Sequence, residues 1–121
     1  MKYRYEKLSN EQTKKVLYNL RHCDLRVMDN EKQIVVPMYY IFKNKNNNPI
    51  FYLTGKLDQN SVNLLNKNQK VSLGFIEYDD KKVRTVIAIG EVKSILYKDD
   101  NQSNAKITVR ATDFSGRGYI R

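Results

Sequence analysis

Residues 33–42 read QIVVPMYYIF, and this run constrains the fold more than any other stretch of the chain. Its β-branched and aromatic side chains suit a pleated, half-buried surface. Pro37, in the middle, has no N–H to give to a sheet ladder. The strand therefore has to lie at an edge or a bulge there, which leaves main chain free near Val36–Tyr39.

Other strand-like runs surround it. DLRVMD (24–29) alternates, with Leu25 and Val27 on one face, and Asp29–Lys32 reads as the hairpin turn that follows. KNKNNNP (43–49) is a polar tip between QIVVPMYYIF and the third strand, IFYLT (50–54). VSLGFIEY (71–78), VRTVIAIGEVKSILY (83–97) and AKITVRATDF (105–114) complete the set, separated by turns at DDKK (79–82) and at 98–104. Gly90 permits a bend in the long fifth strand. Ser9 and Gln12 have the spacing of a capping box, which predicts a helix from about Asn10 to Arg21 with Val16, Leu17 and Leu20 facing the sheet. A second, short helix is expected over Ser61–Asn68. Six strands with short connections and little helix predict a mainly β chain with short helices, folded as one domain over 1–121. The architecture expected is a six-stranded antiparallel barrel, closed or partly closed, with an N-terminal helix.

Charge narrows the list of partners. The net charge of +9 at pH 7 divides as +4 over residues 1–26, +1 over 27–55, +1 over 56–82 and +3 over 83–121. No more than two basic residues are consecutive, and neither zinc-finger spacing nor an aromatic-basic RNA signature occurs, which argues against nucleic acid as the partner. No apolar run reaches the roughly 18–20 residues that span a bilayer, and MKYRYEKLSN lacks a signal-like apolar stretch. With the single cysteine Cys23, these features give a cytoplasmic location as the expectation, with no membrane partner.

Few side chains carry chemistry of their own. His22 and Cys23 read as an ordinary loop pair at a helix end, and no second histidine exists for a metal site. Asp79-Asp80 and Asp99-Asp100 fall in turns, where Asp bonds locally. TGK (54–56) lacks the glycine-rich spacing of a nucleotide-hydrolysing loop. The corner Thr54–Ser61 is different: hydroxyls of Thr54 and Ser61, the cation of Lys56 and a helix start converge where an anion such as phosphate can sit. Asp58, Asn60 and Ser61 are equally good helix-capping residues, so a structural role for the corner stands beside the anion-binding one.

The succession LRVMDNEKQIVVPMYYIF, IFYLTGKLDQNSVNLLNKNQKVSLGF, TVIAIGEVKSI and ITVRATDFSGR resembles the FMN-binding split barrels of the pyridoxamine 5′-phosphate oxidase-like superfamily, over about residues 8–117. The nitroimidazole-resistance type is the branch it most resembles. The resemblance implies FMN as cofactor. It implies that Val36, Pro37, Met38 and Tyr39 line the flavin ring, and that Thr54, Lys56, Asn60 and Ser61 receive the phosphate. Tyr39, Tyr40 and Tyr52 are candidates to pack near the ring, against the alternative of barrel core or dimer contact. It further implies a homodimer with the cofactor between subunits and an FMN-dependent oxidoreductase acting on a small molecule, with no catalytic side chain required. A relative without turnover, or a basic nucleic-acid-binding barrel, is the alternative. Two departures stand out: Ser61 occupies a place where the family commonly has a basic residue, and the KDDNQSNA connection is short where many relatives insert a helix.

Overall fold

The computed structural model describes residues 4–29, 32–97 and 104–120. In chain order they form β1 (Arg4–Lys7), α1 (Asn10–Asn19), β2 (His22–Asp29), β3 (Lys32–Lys45), β4 (Asn48–Lys56), α2 (Gln59–Lys67), β5 (Lys70–Tyr78), β6 (Lys82–Tyr97) and β7 (Asn104–Ile120). All pairings are antiparallel. The sheet order is β1-β7-β4-β3-β2-β5-β6, and a further β7–β6 pairing closes strands β2 to β7 into a six-membered ring. The sequence accounts for that ring. It did not signal β1, a seventh strand whose Arg4–Lys7 pair with Arg117–Ile120 beyond the start of β4.

The helix cap forms as its spacing predicts. The Gln12 amide donates to Ser9 Oγ at 3.2 Å, and the Ser9 amide donates to Gln12 Oε1 at 2.9 Å. The helix stops at Asn19 rather than Arg21, because the chain turns there into β2. Val16 and Leu17 are buried and Leu20 packs against the core, so the predicted face is the one that meets the sheet.

Inside the ring, Tyr40, Phe42, Phe51 and Phe75 form an aromatic stack, with Phe42 and Phe51 centroids 4.7 Å apart and Phe51 and Phe75 5.4 Å apart. Leu25 and Val27 join it from β2. The Tyr40 hydroxyl donates to the Leu17 carbonyl at 2.6 Å and its amide to the Arg21 carbonyl at 3.0 Å, which pins α1 and its exit to the barrel. Burial pushes the Tyr40 hydroxyl well above the ordinary tyrosine range, with smaller contributions from Cys23 and Glu77.

Loops largely follow their chemistry. The polar tip shortens to a two-residue turn, Asn46–Asn47, with φ of 54° and 58°, the left-handed pair that asparagine tolerates and that matches strand twist. At the 79–82 turn, the Asp79 amide donates to the Lys82 carbonyl at 2.9 Å. The ladder between β6 and β7 shifts register at Ile89/Gly90, where the bend was expected. The centre of the 29–32 turn and most of the 98–104 turn, including Asp99-Asp100, lie outside the described residues.

A candidate ligand cleft where two strands part

Strand β3 changes partner half-way. Lys32–Tyr39 pair with β2, whereas Tyr39–Lys45 pair with β4. Strand β4 keeps its place beside β7 as far as Lys56, opposite Asn104, but leaves β3 at Thr54. The two strands part there, and a cleft of about 550 Å³ opens between them.

Pro37 stands on the open edge of β3. Backbone groups along a strand alternate in direction, and the Tyr40 amide points to the β2 side, toward Arg21. Pro37, an odd number of residues away, therefore turns its nitrogen and carbonyl toward the gap left by β4. No ladder bond is lost, and no register irregularity occurs along the β2–β3 pairing, so the edge explanation holds and the bulge is not needed. A Cβ on Gly55 would stand 2.5 Å from Met38 Sδ and 3.3 Å from the Pro37 carbonyl. Glycine at that point is what lets Met38 lie across the floor.

Pro37, Met38, Tyr39, Thr54 and Lys56, five of the expected site residues, share the cleft. Lys56 is exposed and makes no ion pair among the described residues. The other four expected residues are not part of its lining. Val36 turns to the inner side and packs against the core. Tyr52 lies outside the cleft on the outer face of β4, two residues before Thr54. Asn60 is exposed on the first turn of α2. Ser61 is buried, with its amide donating to Asp58 Oδ1 at 2.8 Å. Bonds from the Ser61 side chain and amide hold the Asp58 carboxyl below its ordinary range. A carboxylate thus already caps this helix start and opposes an anion at the same amides.

The cleft also contains residues that the sequence reading left out: His22, Gly55 and Asn104. His22 is the first residue of β2 rather than part of a loop. It faces Tyr39 across the ladder, with ring centroids 4.5 Å apart. Extending the Leu25/Val27 alternation backward would have placed Cys23 inside and His22 outside. Cys23 is buried, and burial followed by the charge of Asp24 pushes its thiol up to about 12, so it stays protonated and unreactive. Among the described residues, no group of His, Cys, Asp and Glu is placed to hold a metal ion.

The same arrangement of strands recurs in solved structures. A FAD-binding protein of Mesorhizobium loti superposes with a TM-score of 0.80 at 17% identity, over 99% of this chain and 100% of that one. A Bacteroides thetaiotaomicron protein assigned to 5-nitroimidazole antibiotic resistance gives 0.77 at 13% identity, over 98% and 90%. A Corynebacterium glutamicum protein assigned as a pyridoxamine 5′-phosphate oxidase gives 0.76 at 14%, over 98% and 100%. This chain has their split-barrel fold. At such identities the likeness establishes architecture, and no protein-family model and no curated protein matches the sequence. Within the split barrel, no described helix is long and apolar enough to cross a membrane.

Proposed function

We propose that the cleft binds a phosphorylated flavin, with FMN the smallest ligand that would use it fully, and that the protein is an FMN-dependent oxidoreductase of a small molecule. The parting of β4 from β3 carries this reading. It leaves main-chain groups of Pro37 on one wall and the Thr54 hydroxyl and Lys56 ammonium on the other. The volume lies within the roughly 300–1,000 Å³ of small-molecule sites, and the floor formed by Met38 and Gly55 is apolar, which suits a flat ring with a polar edge. The fold shared with a FAD-binding protein supports the same reading. When bound, a flavin supplies hydride and single-electron transfer on its own ring. The chain's part is to hold it: Thr54 and Lys56 meet the phosphate, Met38 excludes water below the ring, and His22 and Tyr39 wall the mouth.

A homodimer belongs to the same proposal. Ile87 and Ile89 are exposed on the outer face of β6 opposite Gly74 and Ser72, which in turn lie opposite Asp24 and Arg26 on β2. These isoleucines form a small apolar patch two strands from β2, whose His22 lines the cleft, so a second copy seated on the patch would stand near the cleft. Light scattering should give twice the chain mass at micromolar concentration, and a monomer alone would count against the dimer.

Titration with FMN and riboflavin tests the cofactor. Lys56→Ala should weaken FMN by roughly five- to 150-fold, the loss of one charge-assisted hydrogen bond, and leave riboflavin, which has no phosphate, within about twofold. Equal losses for both flavins would remove Lys56 from phosphate binding. Failure of either flavin to bind the unaltered protein would overturn the flavin reading itself.

A further inference from the structure

We infer that a second cavity, away from the cleft, binds a small aromatic carboxylate that carries a hydroxyl opposite its acid group, the class of 4-hydroxybenzoate. This cavity of about 230 Å³ lies between the first two turns of α1, the β3–β4 turn and Phe114 of β7. It shares no lining residue with the cleft, and its Asn44 stands six residues along β3 from Met38, roughly 20 Å. Asn44 follows Met38, Tyr40 and Phe42 on the inward face of the strand. Its Oδ1 is buried and receives no hydrogen bond among the described residues. A buried acceptor without a donor is costly, so this amide is an exception that calls for a partner. The χ2 angle of asparagine is soft, and a turn about it brings the oxygen to the cavity wall.

The rest of the lining selects the ligand. Leu17, Phe42, Pro49 and Phe114 give apolar walls, with the two phenyl rings 6.2 Å apart and inclined at 80°. A flat ring packs well against such a pair. An engineered apolar cavity of about 150 Å³ holds benzene, which leaves about 80 Å³ here, room for two substituents of about a water's 30 Å³ each. Lys14 is exposed, so it stands at the mouth, and it makes no ion pair among the described residues. No acid lines the cavity. The cation at the mouth and the orphaned acceptor in the wall therefore mark two ends of one ligand: its carboxylate meets Lys14, and its hydroxyl donates to Asn44.

Titration of 4-hydroxybenzoate into the full chain, followed by backbone amide NMR shifts, tests this. Binding should saturate with a dissociation constant of about 1 mM or lower, as suits a ligand of ten non-hydrogen atoms. The shifts should centre on residues 10–17 and 42–49. Benzoate, which lacks the hydroxyl, and 4-hydroxybenzyl alcohol, which lacks the charge, should each bind about fivefold more weakly. Lys14→Gln, an exposed change that spares the fold, should make the hydroxy acid and the alcohol bind alike. Asn44→Leu should make the hydroxy acid and benzoate bind alike. Shifts centred on the cleft residues His22, Tyr39 and Thr54, or a titration that does not saturate, would overturn the site. An unchanged ligand ratio in either variant would overturn the chemistry assigned to that end, and none of these outcomes bears on flavin at the cleft.

Discussion

The two halves of β3 have the same kind of sequence and opposite fates. From Tyr40 to Lys45 the strand pairs with β4, and at Tyr40 the helix α1 and its exit cover the other side through the Leu17 and Arg21 carbonyls. From Lys32 to Met38 it pairs only with β2, and its other edge faces the cleft. The first half holds the aromatic stack and the second holds a proline, with a glycine across the gap on β4. Burial stabilises one half, whereas main chain without a strand partner is what makes the other available to a ligand. The barrel thus separates the part that keeps it folded from the part that can bind.

The largest expected effect breaks the closed half. Phe51, fully buried between Phe42 and Phe75, should cost about 3–5 kcal/mol on Phe51→Ala, read by urea denaturation. Comparable stability would mean that the stack is not the anchor of that half.

A smaller effect concerns the open half at alkaline pH. Cys23, which pairs with Met38 of the cleft floor, has its thiol raised from 9.0 to about 12. A raised folded-state pKa gives stability that is complete below the unfolded value and is lost as pH rises toward the folded one. Stability should therefore fall by about 1.4 kcal/mol between pH 8 and pH 10 from this group. Cys23→Ala should flatten that fall, leaving a later decline from Tyr40. An unchanged slope in the variant would assign the pH dependence elsewhere.

The smallest effect distinguishes the halves by function. On Gly55→Ala the new methyl must displace Met38 Sδ, the end of a flexible side chain, so unfolding stability should drop by only about 1 kcal/mol. Because Met38 would be pushed from its place in the cleft lining, FMN and riboflavin should weaken together. That pattern contrasts with the phosphate-selective loss expected of Lys56→Ala. Unaltered affinity for both flavins would remove Gly55 and Met38 from the floor of the site.

Local chemistry was legible in the sequence wherever nearby residues decide it. Ser9 and Gln12 specify the start of α1, Pro37 specifies a free strand edge, and the alternation of Leu25 and Val27 assigns the inner face of β2. Long-range partners were not legible. The predicted sixth strand stops at Phe114, yet β7 continues to Ile120. A Cβ at Gly116 would stand 2.6 Å from Thr13 Oγ1, so this glycine admits α1 rather than ending the strand. The candidate site divides in the same way. Pro37, Met38, Tyr39, Thr54 and Lys56 follow from their own segments, whereas Asn104 enters only through the register of β7 against β4. Val36 shares the inner face of Met38 and Tyr52 the outer face of Thr54, but each lies two residues further along its strand from the point where β3 and β4 part, and that point is set by long-range pairing.

Strand β7 pairs with β1, β4 and β6, all of which precede it in the chain. During synthesis, β4 and β6 must therefore wait with bare edges until β7 has left the ribosome, a period in which unpaired strands are prone to join other chains. Closure depends on contacts between residues as distant as Ile50 and Arg110, and such contacts form slowly. Asn104, which lines the cleft, arrives on that same last strand. A nascent chain would thus have no finished pocket to fill, and cofactor uptake would mark the moment at which the ring has closed.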